Sequence, residues 1–371
     1  MKQPYLYFFY AFVGALITFG CNSSKQDSKS GNTGQLKRII VVSNNDDPWW
    51  TAMDRGMHDA ADEFGFEAAG YRVVLDQGDG TDVDQIEKLN QYANQIDVAA
   101  VGLSPINPDS SGTIEAMRKL REQGVVLVTI DSDIDRNRFR DARFAYMGTN
   151  NFVAGQELGK AARAISPNGT EYATFVGIKT VDNAVKRIEG FADGAGQDFT
   201  ERDSLGDGVD PDRAQQNVVN ALSNHPNLGM LVAIWAHNAD AIVTIVKQQE
   251  IRDQVKVLTM DASEKALRHM QDGMIDAMVV QNPYQMGYEG VRLMRALLEE
   301  DYETVKNYYP SFDPVTGTFG EQDGDIMNTE LRVVVPDASS PITREMFGES
   351  LQFFLLKDFQ LWLAERKLRS S

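Results

Sequence analysis

The residues that could do chemistry lie just after short apolar runs. They are Ser43–Trp50, Ser104–Asn107, Asp131–Asp133, Ile178–Asn183, His237–Asn238, Asp261 and Gln281. The set is rich in Asp, Asn, Gln, Ser and Trp, with little cationic character. Carboxylates and amides match the paired donors and acceptors of hydroxyl groups. Aromatic rings cover the apolar C–H faces of a sugar ring. The pattern therefore fits a neutral polyol better than an anion.

Other chemistries find no support. The chain lacks G-x-x-x-x-G-K-[ST], H-E-x-x-H and a G-x-S-x-G elbow, and no apolar run leads into G-x-G-x-x-G. The four histidines (His58, His225, His237 and His269) are scattered, so none is matched with a nucleophile. The acidic, glycine-containing stretches Asp203–Asp212 and Glu321–Glu330 miss the spacing of a calcium loop and read as solvated loops. No cofactor or metal is expected, and no enzyme.

Those polar positions need elements to hold them. Strand candidates fall at 38–42, 71–75, 98–103, 125–130, 144–147, 172–176, 230–234, 255–260, 275–280 and 331–335. They are rich in Val and Ile without strict alternation, as in strands covered on both faces. Between them lie amphipathic stretches at 50–64, 82–95, 110–123, 151–165, 182–195, 211–224, 238–249, 263–272 and 285–300. Strand–helix alternation predicts parallel doubly wound sheets. The units are too many for one sheet, so the fold class is α/β with two Rossmann-like lobes. Such sheets bind ligands beyond the carboxyl ends of their strands.

The chain has 371 residues, a net charge of −18 and one cysteine. The acid excess argues against binding of nucleic-acid backbones. One cysteine forms no internal disulfide and no cysteine-based zinc site. Residues 1–20 carry a single Lys and then an apolar run from Tyr5 to Gly20, too short to span a bilayer and suited to a signal peptide. Cys21 follows directly. This resembles a bacterial lipoprotein signal, which implies lipid attachment at Cys21 as the only membrane contact. Residues 21–36 read as a flexible polar tether. A plain signal peptide is the alternative.

The segment I-I-V-V-S-N-N-D-D-P-W-W at 39–50 resembles the first strand and loop of type I periplasmic sugar-binding proteins, the ribose-binding group. The resemblance runs along 37–300. It continues through T-I-D-S-D at 129–133, G-T-N-N-F-V-A-G at 148–155, N-A-V-K-R-I-E-G-F at 183–191, A-I-W-A-H-N-A-D-A at 233–241, V-L-T-M-D at 257–261 and D-G-M-I-D-A-M-V-V-Q-N-P at 272–283. It implies two lobes on a three-segment hinge near 146–149, 281–283 and 329–332. The N-terminal lobe would be 37–147 plus 282–329, and the C-terminal lobe 148–281 plus 330–336. Residues 337–371 form an extension, with an amphipathic helix at 348–368.

By the same resemblance, Trp49 and Trp50 would sandwich the sugar. Ser43, Asp47, Asp131, Asn183, Asn238, Asp261 and Gln281 would hydrogen-bond it. The ribose-binding group has Arg where Ser132 and Val185 stand and an aromatic where Met260 stands, which argues against ribose itself. Asp133 or Arg138 would compensate. Structural readings stand beside these: Trp49–Trp50 as a core pair, Asp131, Asp261 and Asn183 as helix caps, Arg187 as an ion-pair residue.

The implied protein is an exported, monomeric sugar binder of the periplasm or outer cell surface that delivers its sugar to an ABC-type permease. A sugar-sensing module signalling to a membrane sensor is the alternative. A lac-type regulator is disfavoured because a signal peptide occupies the place of its DNA-binding domain.

Overall fold

The computed structural model describes residues 35–348 and 351–371. The expected signal peptide, Cys21 and almost all of the expected tether lie outside the described residues.

Two sheets organise the chain. Strands β1 (Lys37–Val42), β2 (Tyr71–Asp76), β3 (Val98–Leu103), β4 (Val126–Ile130) and β5 (Tyr146–Gly148) come first. Next come β6 (Glu171–Val176), β7 (Thr200–Gly206), β8 (Leu228–Ala233), β9 (Lys256–Met260) and β10 (Ala277–Val280). A two-residue pair, β11 (Phe312–Asp313) and β12 (Thr318–Phe319), precedes β13 (Ile326–Asn328), β14 (Arg332–Val335) and β15 (Gln352–Leu355). The first sheet is wholly parallel, in the order β13-β5-β4-β3-β1-β2. The second runs β15-β14-β10-β9-β8-β6-β7, and only the β10–β14 pair is antiparallel.

The helices are α1 (Trp50–Glu63), α2 (Asp82–Tyr92), α3 (Ser111–Glu122), α4 (Arg136–Phe139), α5 (Asn151–Ile165) and α6 (Asp182–Ala195). Then follow α7 (Pro211–Asn224), α8 (Ala236–Gln248), α9 (Glu264–Gln271), α10 (Pro283–Leu298), α11 (Tyr302–Tyr308) and α12 (Leu356–Glu365).

Both faces of each sheet are covered, which explains the near-continuous apolar strands. In β1, Ile39 and Val41 pack with Trp50, Met53 and Met294. Ile40 and Val42 point the other way, onto Leu89, Ile114 and Met117. Successive strand residues face opposite sides, so one short run feeds two cores.

The chain passes between the sheets three times. β5 leads into α5, β10 into α10, and β13 into β14. Residue Thr329 donates its N–H to the Gly148 carbonyl at 2.8 Å, tying two crossings together. At the crossing from β10 to α10, Asn282 caps α10 through its amide oxygen (3.0 Å from Gln285 N), and Pro283 opens the helix.

In each lobe the helix after the first strand packs closely on a helix that follows a crossing. α6 meets α5 where Gly155 faces the Arg187 carbonyl, and a β-carbon at 155 would lie 2.1 Å from that oxygen. α1 meets α10 the same way, with Gly56 against the Tyr284 carbonyl at 2.0 Å.

Three expectations fail. Asp203 is not in a loop but in β7, an edge strand whose mixed polar sequence hides its pattern. Residues 348–368 are not one helix. Gln352–Leu355 extend the second sheet beside β14, because adjacent Phe353 and Phe354 suit a pleated surface, and α12 starts only at Leu356. Glu321–Glu330 is not a solvated loop: Asp325 is fully buried and Ile326–Asn328 form β13, in a segment where Tyr309, Phe312 and Phe319 gather around Phe144.

Candidate functional site

The loop after β1 turns its residues to different tasks. Ser43 is fully buried. Its hydroxyl donates to the Asn45 carbonyl (2.5 Å) and accepts from Gly78 N (2.9 Å). The hydroxyl's donor and one acceptor site thus build the loop, and Ser43 is not among the residues that line the cavity described below. Asn45 accepts from the Trp50 indole N–H at 2.9 Å, and Trp50 is 2% exposed within the first lobe's core. The expected aromatic pair therefore splits, since neighbouring helix residues cannot face one direction. Trp49 alone lines the cavity, edge-on to Trp50 at 5.0 Å. Its Nε1 is buried and has no partner among the described residues. Asp47 accepts from Trp49 N at 2.8 Å and reaches the same cavity.

Asp131 follows β4 in the left-handed region, with φ 68°. Its carboxylate accepts from Ser104 Oγ (2.9 Å) and Ser132 Oγ (3.3 Å). The residue keeps a partial opening to solvent, yet loss of water around the carboxyl pushes it up to about 6. The two serine bonds and Arg187 of the other lobe oppose that rise. Asp133 is turned away. It binds Arg143 through two bonds (2.7 and 2.5 Å) and accepts from Thr129 Oγ1 at 2.6 Å. Arg138 pairs with exposed Asp109 at 2.8 Å. Neither replaces the missing guanidinium groups in the cleft.

In the second lobe, Asp261 follows β9, also left-handed at φ 62°. Gln281 donates to it from its backbone N–H (3.3 Å) and from Nε2 (3.1 and 3.2 Å). Arg187 stands 3.8 Å away and donates Nε–H to Asn151 Oδ1 at 2.8 Å. Burial raises the Asp261 carboxyl, and Arg187 pulls it back. Asn238 donates to Asp207 Oδ2 at 2.6 Å, and His237 Nε2 lies 3.1 Å from Oδ1 of the same carboxylate. The Asn238 and Gln281 side-chain oxygens are buried without partners among the described residues. Asn183 accepts from the Trp235 indole at 3.2 Å. It is not a cap, because Val181 occupies the N-cap position.

A cavity of about 400 Å³ brings the lobes together. Asp47 and Trp49 form one wall; His237, Asp240, Asp261 and Lys265 form the other, with Ser370 and Ser371 beside them. Arg187 and Gln281 contact Asp261 without lining the cavity themselves, Asp131 is near enough to feel the charges of Arg187 and Asp261, and Asn238 joins through Asp207 and His237. Sequence reasoning missed Asp207 and Trp235. The aromatic residue after β8 was a visible signal for Trp235; Gly177 leaves room for its ring, since a β-carbon there would lie 2.3 Å from it. Among the described residues no group of three or more His, Cys, Asp or Glu side chains is placed to hold a metal ion, and no helix is long and apolar enough to cross a membrane.

This pairing of fold and cleft is that of a bilobal solute-binding protein. Residues 39–301 match the periplasmic binding protein domain, and the chain belongs to that family, one of binding proteins rather than enzymes. It is 24% identical over 276 residues to the ribose import binding protein RbsB of Salmonella typhimurium, covering 73% of this chain and 87% of that protein. Its fold is similar to GanP, a glucose-galactose binding protein from Geobacillus stearothermophilus, with TM-score 0.67, 21% identity, and coverage of 81% and 98%. It is also similar to a solute-binding protein from Actinobacillus succinogenes solved with D-allose, with TM-score 0.68, 17% identity, and coverage of 82% and 99%.

Proposed function

We propose that this protein captures a monosaccharide or related polyol between its lobes and hands it to an ABC-type permease, working outside the cytoplasmic membrane and anchored through Cys21. The observation that carries the reading is Trp49 on one cavity wall, with its indole N–H buried and unpaired, opposite Asp261 on the other. A sugar supplies an acceptor for that N–H, an apolar face for the ring and hydroxyl donors for the carboxylates. Arg187 is already engaged by Asp261 and Asn151, and cavity-lining Lys265 by Asp240, so neither stands free for an anionic ligand. The names of the relatives, for ribose, glucose, galactose and allose, support the same ligand class. Closure would bend the three crossings and bring the walls together, with no bond made or broken in the ligand.

A thermal-shift and calorimetric screen of the purified protein against aldopentoses, aldohexoses, ketohexoses and polyols tests this. The expected result is one sugar class that raises the melting temperature, the rise growing with the logarithm of its concentration once that exceeds Kd. No shift and no heat from any of them would overturn the reading.

A further inference from the structure

Ser371 is 2% exposed and lines the cavity. It exchanges two backbone hydrogen bonds with Ala262: Ala262 N–H to Ser371 O at 2.9 Å, and Ser371 N–H to Ala262 O at 3.2 Å. Ala262 is the residue after Asp261. The Ser371 hydroxyl donates to the Gln281 carbonyl (3.4 Å) and accepts from Arg332 Nη1 (3.3 Å), which itself reaches that carbonyl at 3.3 Å. The tail thus touches the backbone at Gln281 and at the residue that follows Asp261.

Its approach is anchored. Phe359, Leu363 and Leu368 are buried in the same apolar cluster as Ala262, Ala266 and Leu267. Trp362 lies over the Arg332 guanidinium, 3.9 Å from ring centroid to carbon. Asp261 holds a left-handed backbone, which a non-glycine residue keeps only when its surroundings over-determine it. Gln281 and Arg187 constrain its carboxylate, and the tail constrains the peptide that follows. Residues 356–371 fall outside the stretch matched to the family domain.

We infer that residues 369–371 are a positioning element of the sugar site: they fix the backbone at Asp261 and Gln281 and complete the cavity wall through Ser370 and Ser371. The sugar part rests on the function proposed above.

Two variants test it, deletion of 369–371 and Ser371→Ala, both keeping α12 and Leu368. Hydrogen exchange without sugar reads the positioning. The informative amides are Asp261, whose acceptor is the Val279 carbonyl, and Gln281, whose acceptor is the Asp261 carboxylate, because both acceptors survive the deletion. Exchange at least tenfold faster at these two amides, with β1 unchanged, is expected on deletion; Ser371→Ala should give a smaller rise. Calorimetry with D-ribose, D-allose, D-glucose, D-galactose and D-fructose reads the site. For any that the parent protein binds, affinity should fall more than tenfold on deletion. Unchanged exchange at Asp261 and Gln281 overturns the inference. Faster exchange with unchanged affinity overturns its sugar-site part. If the parent binds none of the five and no other monosaccharide, the sugar reading falls, while the exchange result still decides the positioning role.

Discussion

Arg187 stands 3.8 Å from Asp261 with both side chains almost fully buried, and Asn151 holds its Nε at 2.8 Å. Arg187 lies on α6, whose closeness to α5 depends on Gly155 facing the Arg187 carbonyl. Helix packing in the second lobe thus sets a cation beside a site carboxylate. Removing one partner of a buried pair leaves the other uncompensated. Arg187→Met should lower unfolding stability by about 3 kcal/mol and sugar affinity more than tenfold. Urea denaturation and calorimetry check this. The double variant Arg187→Met, Asp261→Asn should regain part of the stability but none of the binding. A single variant as stable as the parent would refute the pairing.

The two tryptophans should separate cleanly. Trp49→Ala is expected to weaken sugar binding at least tenfold, about 1.4 kcal/mol, with little change in melting temperature. Trp50→Ala empties a core position and should cost about 3–5 kcal/mol of stability. Equal effects of the two on affinity would contradict the split roles.

The fold was largely legible because β-runs such as Ile39–Val42 need apolar residues on both faces, and helices such as α6 announce their period. Post-strand position located Asp131, Asp261 and Gln281 for the same reason: parallel sheets end there. What failed was direction. Ser43 and Asp133 stand at the expected places, but hydrogen bonds from Gly78, 35 residues on, and Arg143, 10 residues on, turn them away. Nothing local encodes those partners. Asp207 hid in an acidic stretch that resembled a solvated loop, although it is 1% exposed and holds both His237 and Asn238. The position of Ser371 rests on contacts with Ala262 and Arg332 that no short-range pattern reveals.

Asp325 should be a stability centre remote from the sugar. It is completely buried and takes hydrogen bonds from Arg136 (2.6 Å), Arg140 (2.7 Å) and Arg143 (2.8 Å). These bonds hold β13 against β5 at one crossing. Asp325→Ala would leave buried Arg143 with Asp133 alone and take from Arg136 and Arg140 their shared acceptor, at a cost of about 3 kcal/mol. Denaturant unfolding should show this loss, and limited proteolysis should cut faster within 312–328. Resistance equal to the parent's would count against the role.

Asp131 predicts a pH signature. Its folded carboxyl is raised to about 6 from an ordinary 3.8, chiefly by loss of water around the charge. The folded state therefore holds this proton more tightly than the unfolded chain. The stability this proton brings is fully present below about pH 4 and is lost as pH rises through about 6. Above that window the empty protein carries a buried charge that unfolding would relieve. Asp131→Asn keeps the shape without the charge. Melting curves of the sugar-free protein from pH 4 to 7 should fall less steeply for the variant, which should exceed the parent in stability at pH 7. Its sugar affinity at pH 7 should nonetheless drop more than tenfold, because the carboxylate is the better acceptor for hydroxyl groups. A variant with the parent's pH slope would show that Asp131 does not titrate in this range.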